Sequence, residues 1–359
     1  MLKKLNRKGK KIKMKKVFKI KKICFCLLLL QAKIVLAQDQ QDLKFNNEYF
    51  YFNFQSAYYP PHELGTNGSN FSQSFKHPNF QNIEPSLKIP VNYWGGIKLI
   101  SYLGYYKNFK VLHNPNSIFF KNNGIDVDLN IGLSPVIISF KSMLSFTPIA
   151  FLNLYVSNEI GIGWEAFGFK GIGVHIENGK YSNDIEFYSE ITIGGRFQFD
   201  LNAIFKGEWT HIITVIGNDF TYLINPHANK DQLWKYKADD GKNINGMLIK
   251  PYALLAYKMP IPLNTIGLLY EGKTQIGKER NISSWKNKGW GSDIFYHNIS
   301  LIANFEVVKP LTIGLQLKLS TNPTYTSNTA GLADISKRIA TGNSYFYYDS
   351  IGISVTYKY

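Results

Sequence analysis

Residues 345–359 read Tyr-Phe-Tyr-Tyr-Asp-Ser-Ile-Gly-Ile-Ser-Val-Thr-Tyr-Lys-Tyr. Tyr345, Tyr347, Ile351, Ile353, Val355, Tyr357 and Tyr359 alternate with Tyr348, Ser350, Gly352, Ser354, Thr356 and Lys358. A helix would repeat every ~3.6 residues; a repeat of two belongs to a strand with one apolar and one polar face. The sequence ends on an aromatic residue while that pattern is still running.

The same alternation recurs upstream. In 125–133, Ile125, Val127, Leu129, Ile131 and Leu133 oppose Asp126, Asp128, Asn130 and Gly132. In 311–320, Leu311, Ile313, Leu315, Leu317 and Leu319 oppose Thr312, Gly314, Gln316, Lys318 and Ser320. In 185–201, Ile185, Phe187, Ile191, Ile193, Phe197, Phe199 and Leu201 oppose Glu186, Glu190, Thr192, Arg196, Gln198 and Asp200. Alternating segments of about ten residues are the signature of transmembrane barrel strands. The pattern predicts further strands over 48–59, 92–106, 148–157, 159–166, 170–177, 203–217, 247–258, 265–276 and 293–308, with short ones near 136–146 and 220–224. Asn178-Gly179, 260–264 and Lys309-Pro310 read as tight turns. The stretches 60–90, 225–245, 277–292 and 321–343 read as long polar connections, the first of them a surface loop or an inward constriction. The expected fold is an all-β antiparallel transmembrane barrel of about 14 strands, within a range of about 12–16, with short periplasmic turns and long outer loops.

The other end of the sequence has a different character. Residues 1–37 hold 13 of the 41 Lys and Arg residues and no Asp or Glu. A basic run to Lys22 precedes an apolar run over 23–30, and Val35-Leu36-Ala37 has the small residues that a signal peptidase needs. These features predict a signal peptide over 1–37, with Met14 as an alternative start and Lys33 as an unusual interruption. Residues 38–359 show no repeat, linker or charge break and read as a single barrel domain. The overall charge of +16 suggests a nucleic-acid partner only until it is located, because 38–359 carry 28 basic and 25 acidic residues, a net charge of +3. Both cysteines, Cys24 and Cys26, fall in the leader, so the rest of the chain has no thiol chemistry. No stretch after residue 37 is apolar enough for a spanning helix, which needs about 20 residues.

A soluble sandwich also alternates, with its apolar face inward. Two features favour lipid on the apolar face instead. The strands are long against the usual five or six residues, and aromatics cluster at strand ends, at 49–51, 105–106, 345–348 and 357–359, as in the girdles of membrane barrels. The polar face then lines a lumen. Its charged candidates are Lys98, Asp126, Asp128, Glu165, Glu186, Glu190, Arg196, Asp200, Glu306, Lys318 and Lys358. A barrel wider than eight strands is too large for side chains to fill, so a water path is expected and a channel for small hydrophilic solutes is the expected function. Charge of both signs leaves the ion preference open. The competing reading is a surface binding protein or adhesin on a closed barrel. A carrier of hydrophobic substrates is disfavoured by the polar inward faces.

Nothing in the sequence points to catalysis, a cofactor or a metal. There is no phosphate-binding loop, and Gly161-Ile162-Gly163 and Gly171-Ile172-Gly173 lie in strand pattern with no helix after them. His62, His77, His113, His175, His211, His227 and His297 show no metal spacing. His297 and Ser300 are faintly similar to the His and Ser of the outer-membrane phospholipase barrel, but three positions apart on a strand they lie on opposite faces. The expectation is a non-enzyme whose partners are outer-membrane lipid, the barrel-assembly machinery and small hydrophilic solutes, with no nucleic acid.

The closing strand, with Ile351, Ile353, Val355, Tyr357 and Tyr359 at alternate positions, resembles the C-terminal assembly signal of bacterial outer-membrane barrels. The Lys-rich leader, the Ile, Asn, Lys, Phe and Tyr usage and the ending Tyr357-Lys358-Tyr359 resemble spirochaetal, Borrelia-like outer-membrane porins in layout, including the dicarboxylate-specific one. That resemblance implies the bacterial outer membrane and passage of small organic dianions. Lys98, Arg196 and Lys318 are the natural groups to meet such anions, although no motif transfers a residue role.

Overall fold

A computed structural model describes residues 47–60, 73–74 and 96–359, apart from 115, 118, 121–122, 167–168, 177–179, 183, 238, 240, 278–281, 331 and 333. The expected signal peptide, both cysteines, His62, His77, the turn at Asn178-Gly179 and most of the 60–90 connection lie outside the described residues. The described residues belong to one compact unit, Asn46–Tyr359.

Twelve long strands form one antiparallel sheet. They are β1 (Glu48–Tyr59), β2 (Gly96–Phe109), β3 (Gly124–Leu133), β4 (Ile137–Ile149), β5 (Leu152–Gly163), β6 (Glu186–Asp200), β7 (His211–Ile224), β8 (Gly246–Lys258), β9 (Leu263–Gln275), β10 (Tyr296–Val308), β11 (Leu311–Tyr325) and β12 (Ala340–Lys358). Each pairs with its neighbour in sequence, and β12 returns to β1 from Tyr51↔Lys358 to Tyr58↔Ile351. The seam is finished by a reciprocal pair, Phe50 N to Tyr359 O at 3.0 Å and Tyr359 N to Phe50 O at 2.9 Å. Closure leaves no free edge strand, so the ladder groups find partners within the sheet except at its bulges.

The count is two below the central expectation of 14 and within the predicted range. Segments 148–157 and 159–166 are one strand, β5, because Asn158 is an exposed residue on the outer face and not a turn residue. Segments 203–217 and 220–224 likewise join in β7; Asn218-Asp219 continue the ladder, paired to Pro251 and Lys250. The 170–177 segment is no barrel strand. It folds over one mouth, where Gly173–Val174 pairs with Trp234–Lys235.

Connections differ between the two ends. The end that holds Glu48 and Tyr359 has tight links at 150–151, 259–262 and 309–310, together with 110–123 and 201–210. The other end has the 60–95 connection, 164–185, 225–245, 276–295 and 326–339, with one short link at 134–136.

Outside, the aliphatic faces are bare. Ile193 is 62% exposed, Ile216 58% and Leu255 55%, and Leu144, Leu268, Leu301 and Ile351 join them. Leaving such side chains in water would cost roughly 1.5–3 kcal/mol each. Among the described residues no helix is long and apolar enough to cross a membrane. A closed antiparallel barrel with an apolar belt is the alternative that pairs its backbone in lipid. This is a transmembrane β-barrel of the bacterial outer-membrane type, even in strand number, with short links at one end and long loops at the other.

The aromatic clusters divide between faces. Phe50 and Tyr105 are outward, with ring centroids 5.0 Å apart, and Phe50 is 6.1 Å from Tyr359. Tyr49 and Tyr106 stack inside at 4.8 Å. The final strand also corrects its own sequence pattern. A bulge at Asp349 pairs Lys318 with Ser350 and Leu319 with Tyr348, which reverses the faces upstream. Tyr345 and Tyr347 therefore point inward, whereas Ile351, Ile353, Val355 and Tyr357 stay outward.

The packed core lies at the long-loop mouth. Ile137, Tyr188, Leu223 and Leu248, inward at the strand ends, are covered by Ile172, Val174, Ala228 and Trp234 from the loops. A second cluster joins Leu233, Ile244, Trp290, Ile294, Tyr325, Ile335 and Ala340. The loops thus form a folded cap.

Candidate functional site: the barrel lumen

The inner wall begins with the alternation that buried apolar residues outside. Lys98, Asp126, Asp128, Glu186, Glu190, Arg196, Asp200, Glu306 and Lys318 each stand on the face opposite exposed aliphatics of their strand. Lys358 does the same and lies over the Tyr49 ring, 4.8 Å from its centroid. Glu165 differs: it is exposed, in the cap segment between β5 and β6.

The lumen acids are tied to the wall. Tyr51 OH donates to Asp128 at 2.9 Å. Asp126 accepts from Tyr106 OH at 2.5 Å, Asn108 at 2.6 Å and Ser145 at 3.0 Å. Tyr155 OH bonds Asp219. Tyr188 OH donates to Glu159 at 2.5 Å, and Lys237 Nζ is 2.5 Å from the same carboxylate. Glu190 holds Tyr236 OH and, at 3.0 Å, Lys250. Glu186 is buried under the cap between Ser182 and His227, each at 2.6 Å. Asp349, the bulged residue, meets Lys318 at 3.9 Å and Ser350 at 3.0 Å. Asp200 pairs with His211 at 2.7 Å, and Glu306 has a long contact to Asn264 at 3.4 Å. Glu271 is the exception and has no such bond among the described residues.

Three cations are placed otherwise. Lys98, Lys141 and Arg196 are on the inner face and make no hydrogen bond or ion pair among the described residues. Glu159, Asp219, Lys141 and Lys237 were missed by the sequence reading. Asp219 falls in the gap between two expected strands, Glu159 opens the expected 159–166 strand without being read as a lumen charge, and Lys237 comes from a loop.

Between cap and wall lies a cavity of about 810 Å³. Its basic groups are Lys98, Lys237, Lys242, Lys273 and Lys318, against Asp239 and Asp349. Pockets of ~300–1,000 Å³ hold small molecules. The cap residue Tyr236 has its phenol pushed well up by burial and by the nearby Glu190 and Glu159 carboxylates, so it remains a hydrogen-bond donor.

One sector of the wall is not polar. Ile213, Val215, Leu254, Leu269 and Ile302 face inward and are half-buried, paired as Val215↔Leu254↔Leu269 and, through Ala256 and Gly267, as Ile213↔Ala256↔Gly267↔Ile302. The expectation of a uniformly polar lumen is therefore corrected. His297 and Ser300 do lie on opposite faces: His297 meets Tyr270 at 3.0 Å outside, and Ser300 is fully buried inside. Among the described residues no group of His, Cys, Asp and Glu is arranged to hold a metal.

No protein-family model and no curated protein matches the chain. Among solved structures, the chain is similar to the outer membrane channel DcaP of Acinetobacter baumannii, at 10% identity over 87% of this chain and 96% of that one, with a TM-score of 0.33. It is also similar to a bacterial polysaccharide outer membrane secretin, at 8% identity over 87% and 99%, TM-score 0.33. A FadL homologue of Pseudomonas aeruginosa follows at 10% identity over 86% and 89%, TM-score 0.27.

Proposed function

We propose that this chain is an outer-membrane channel for passive diffusion of small hydrophilic solutes, with a preference for organic anions, dicarboxylates among them. The observation that carries the preference is the unequal treatment of charge in the lumen. Wall and cap donors occupy almost all of its carboxylates, whereas Lys98, Lys141 and Arg196 have no hydrogen bond or ion pair among the described residues. A carboxylate that already accepts hydrogen bonds offers a cation less than its formal charge suggests, and an unpaired ammonium offers an anion its full field. The lysine-rich cavity under the cap supports the same sign. The layout shared with spirochaetal porins is what singles out dicarboxylates, and the lining residues named above are the candidate contacts. Ile351, Ile353, Val355, Tyr357 and Tyr359 form the proposed assembly signal, an outward apolar face of β12 for the assembly machinery and then for lipid.

Reconstitution into a planar bilayer tests the reading. Discrete conductance steps and a reversal potential of anionic sign are expected across a KCl gradient, with succinate or malate reducing the single-channel current. A folded barrel without conductance would leave the closed-barrel binding protein as the better account. Equal block by acetate would remove the dicarboxylate preference alone.

A further inference from the structure

The apolar sector has charged neighbours of opposite sign. Arg196, Gly217, Tyr252 and Glu271 are cross-strand partners in one row of the inner wall, on β6, β7, β8 and β9. The adjoining row is Gln198, Val215, Leu254 and Leu269, and it continues through Ser300 to Lys318. Three steps between strands separate Arg196 from Glu271, roughly 14 Å along the wall before the side chains reach inward. Neither has a hydrogen bond or ion pair among the described residues, and Arg196 is exposed to the lumen. The Tyr252 ring packs over Gly217 between them, where a Cβ would lie 2.4 Å from it. Tyr252 is anchored across the wall by Tyr155, hydroxyl to hydroxyl at 3.1 Å.

We infer that this sector binds zwitterions with aliphatic side chains, namely short apolar peptides and their amino acids, carboxylate toward Arg196, ammonium toward Glu271 and side chains on Val215, Leu254 and Leu269. The inference rests on the channel reading and adds a second solute class to the same lumen. A plain organic anion would leave Glu271 unanswered, and a purely apolar ligand would leave both charges so. A guanidinium pairs a planar carboxylate through two parallel bonds, and half-buried leucines gain by covering an aliphatic side chain. The opposed charges also fix the direction in which a peptide lies.

The test is block of single-channel current by tripeptides on the wild-type channel. Trileucine is expected to block at a concentration at least about tenfold below triglycine. N-acetylation and C-amidation of trileucine should each weaken block by about tenfold. Glu271→Gln should abolish the sensitivity to acetylation, and Arg196→Gln that to amidation. Equal block by trileucine and triglycine overturns the inference while leaving the channel intact. So does block that follows leucine content and ignores the end groups. Absence of any conductance overturns the channel reading and this inference with it.

Discussion

Lys237, in the cap segment between β7 and β8, places its Nζ 2.5 Å from Glu159 Oε1 on the wall of β5. Their side chains are 14% and 9% exposed. This contact, with Tyr236 on Glu190, pins the cap segment to the lumen wall. Removing one partner of a buried ion pair strands the other, at a cost of about 3–5 kcal/mol. Glu159→Gln should therefore lower the denaturant midpoint of the detergent-folded barrel more than the double variant Glu159→Gln/Lys237→Met. Additive losses in that cycle would show that the two residues act independently.

Neutralising a lumen cation and neutralising a lumen acid should have different consequences. Lys98→Gln removes a charge with no hydrogen bond or ion pair among the described residues, so the reversal potential should move toward zero with little change in stability. Asp126→Asn leaves Tyr106, Asn108 and Ser145 around a neutral acceptor. It should cost about 1–3 kcal/mol of stability and shift selectivity less. Equal selectivity shifts from the two substitutions would count against the proposed anion preference.

The sequence carried the outer faces of the strands well, because a lipid belt imposes period two on every strand that crosses it. It carried strand limits less well. Asn158 and Asn218-Asp219 have turn chemistry, yet long-range pairing holds each inside a strand. The Asp349 bulge reverses Tyr345 and Tyr347, and a one-residue insertion leaves no mark on a pattern already rich in aromatics. Of the site, single inward charges such as Asp128 and Arg196 were legible from alternation. Their partners were not, since Tyr51 and Asp128 are 77 positions apart and only the pairing of β1 and β3 on either side of β2 brings them together. The cap was hidden for a related reason: Ile172, Val174 and Trp234 continue a strand-like composition, but they bury against the inside of the mouth.

Gly104 faces the Tyr51 ring so closely that a Cβ would lie 2.1 Å from Cζ. Gly104→Ala should push the phenol off Asp128, with a loss of about 1–3 kcal/mol from overpacking. Tyr51→Ala in the same chain should recover part of that loss by opening space, although it removes the hydrogen bond. Unfolding midpoints of the two variants decide this, and a double variant no more stable than Gly104→Ala would argue against the steric origin.

The cap has an acid-sensitive clasp. His175, from the segment between β5 and β6, meets Asp334, between β11 and β12, at 3.2 Å. Burial alone would raise the Asp334 carboxyl, but the Ser336 hydroxyl, the His175 ring and Lys337 together hold it below its ordinary 3.8. The sign follows: a carboxyl with a lowered folded-state value stabilises the fold above its unfolded value and loses that contribution as pH falls through the lowered one. Through this group the clasp is therefore unchanged from neutral pH down to about pH 4 and weakens only below it. Asp334→Asn should abolish that acid limb, leaving Ser336 and Lys337 with a neutral partner. Limited proteolysis across 326–339 as a function of pH measures it. Wild-type cleavage should rise below about pH 4, and the variant should be cleaved faster at neutral pH with no further rise from this group. An acid limb that survives unchanged in Asp334→Asn would assign the sensitivity to a different carboxylate of the cap.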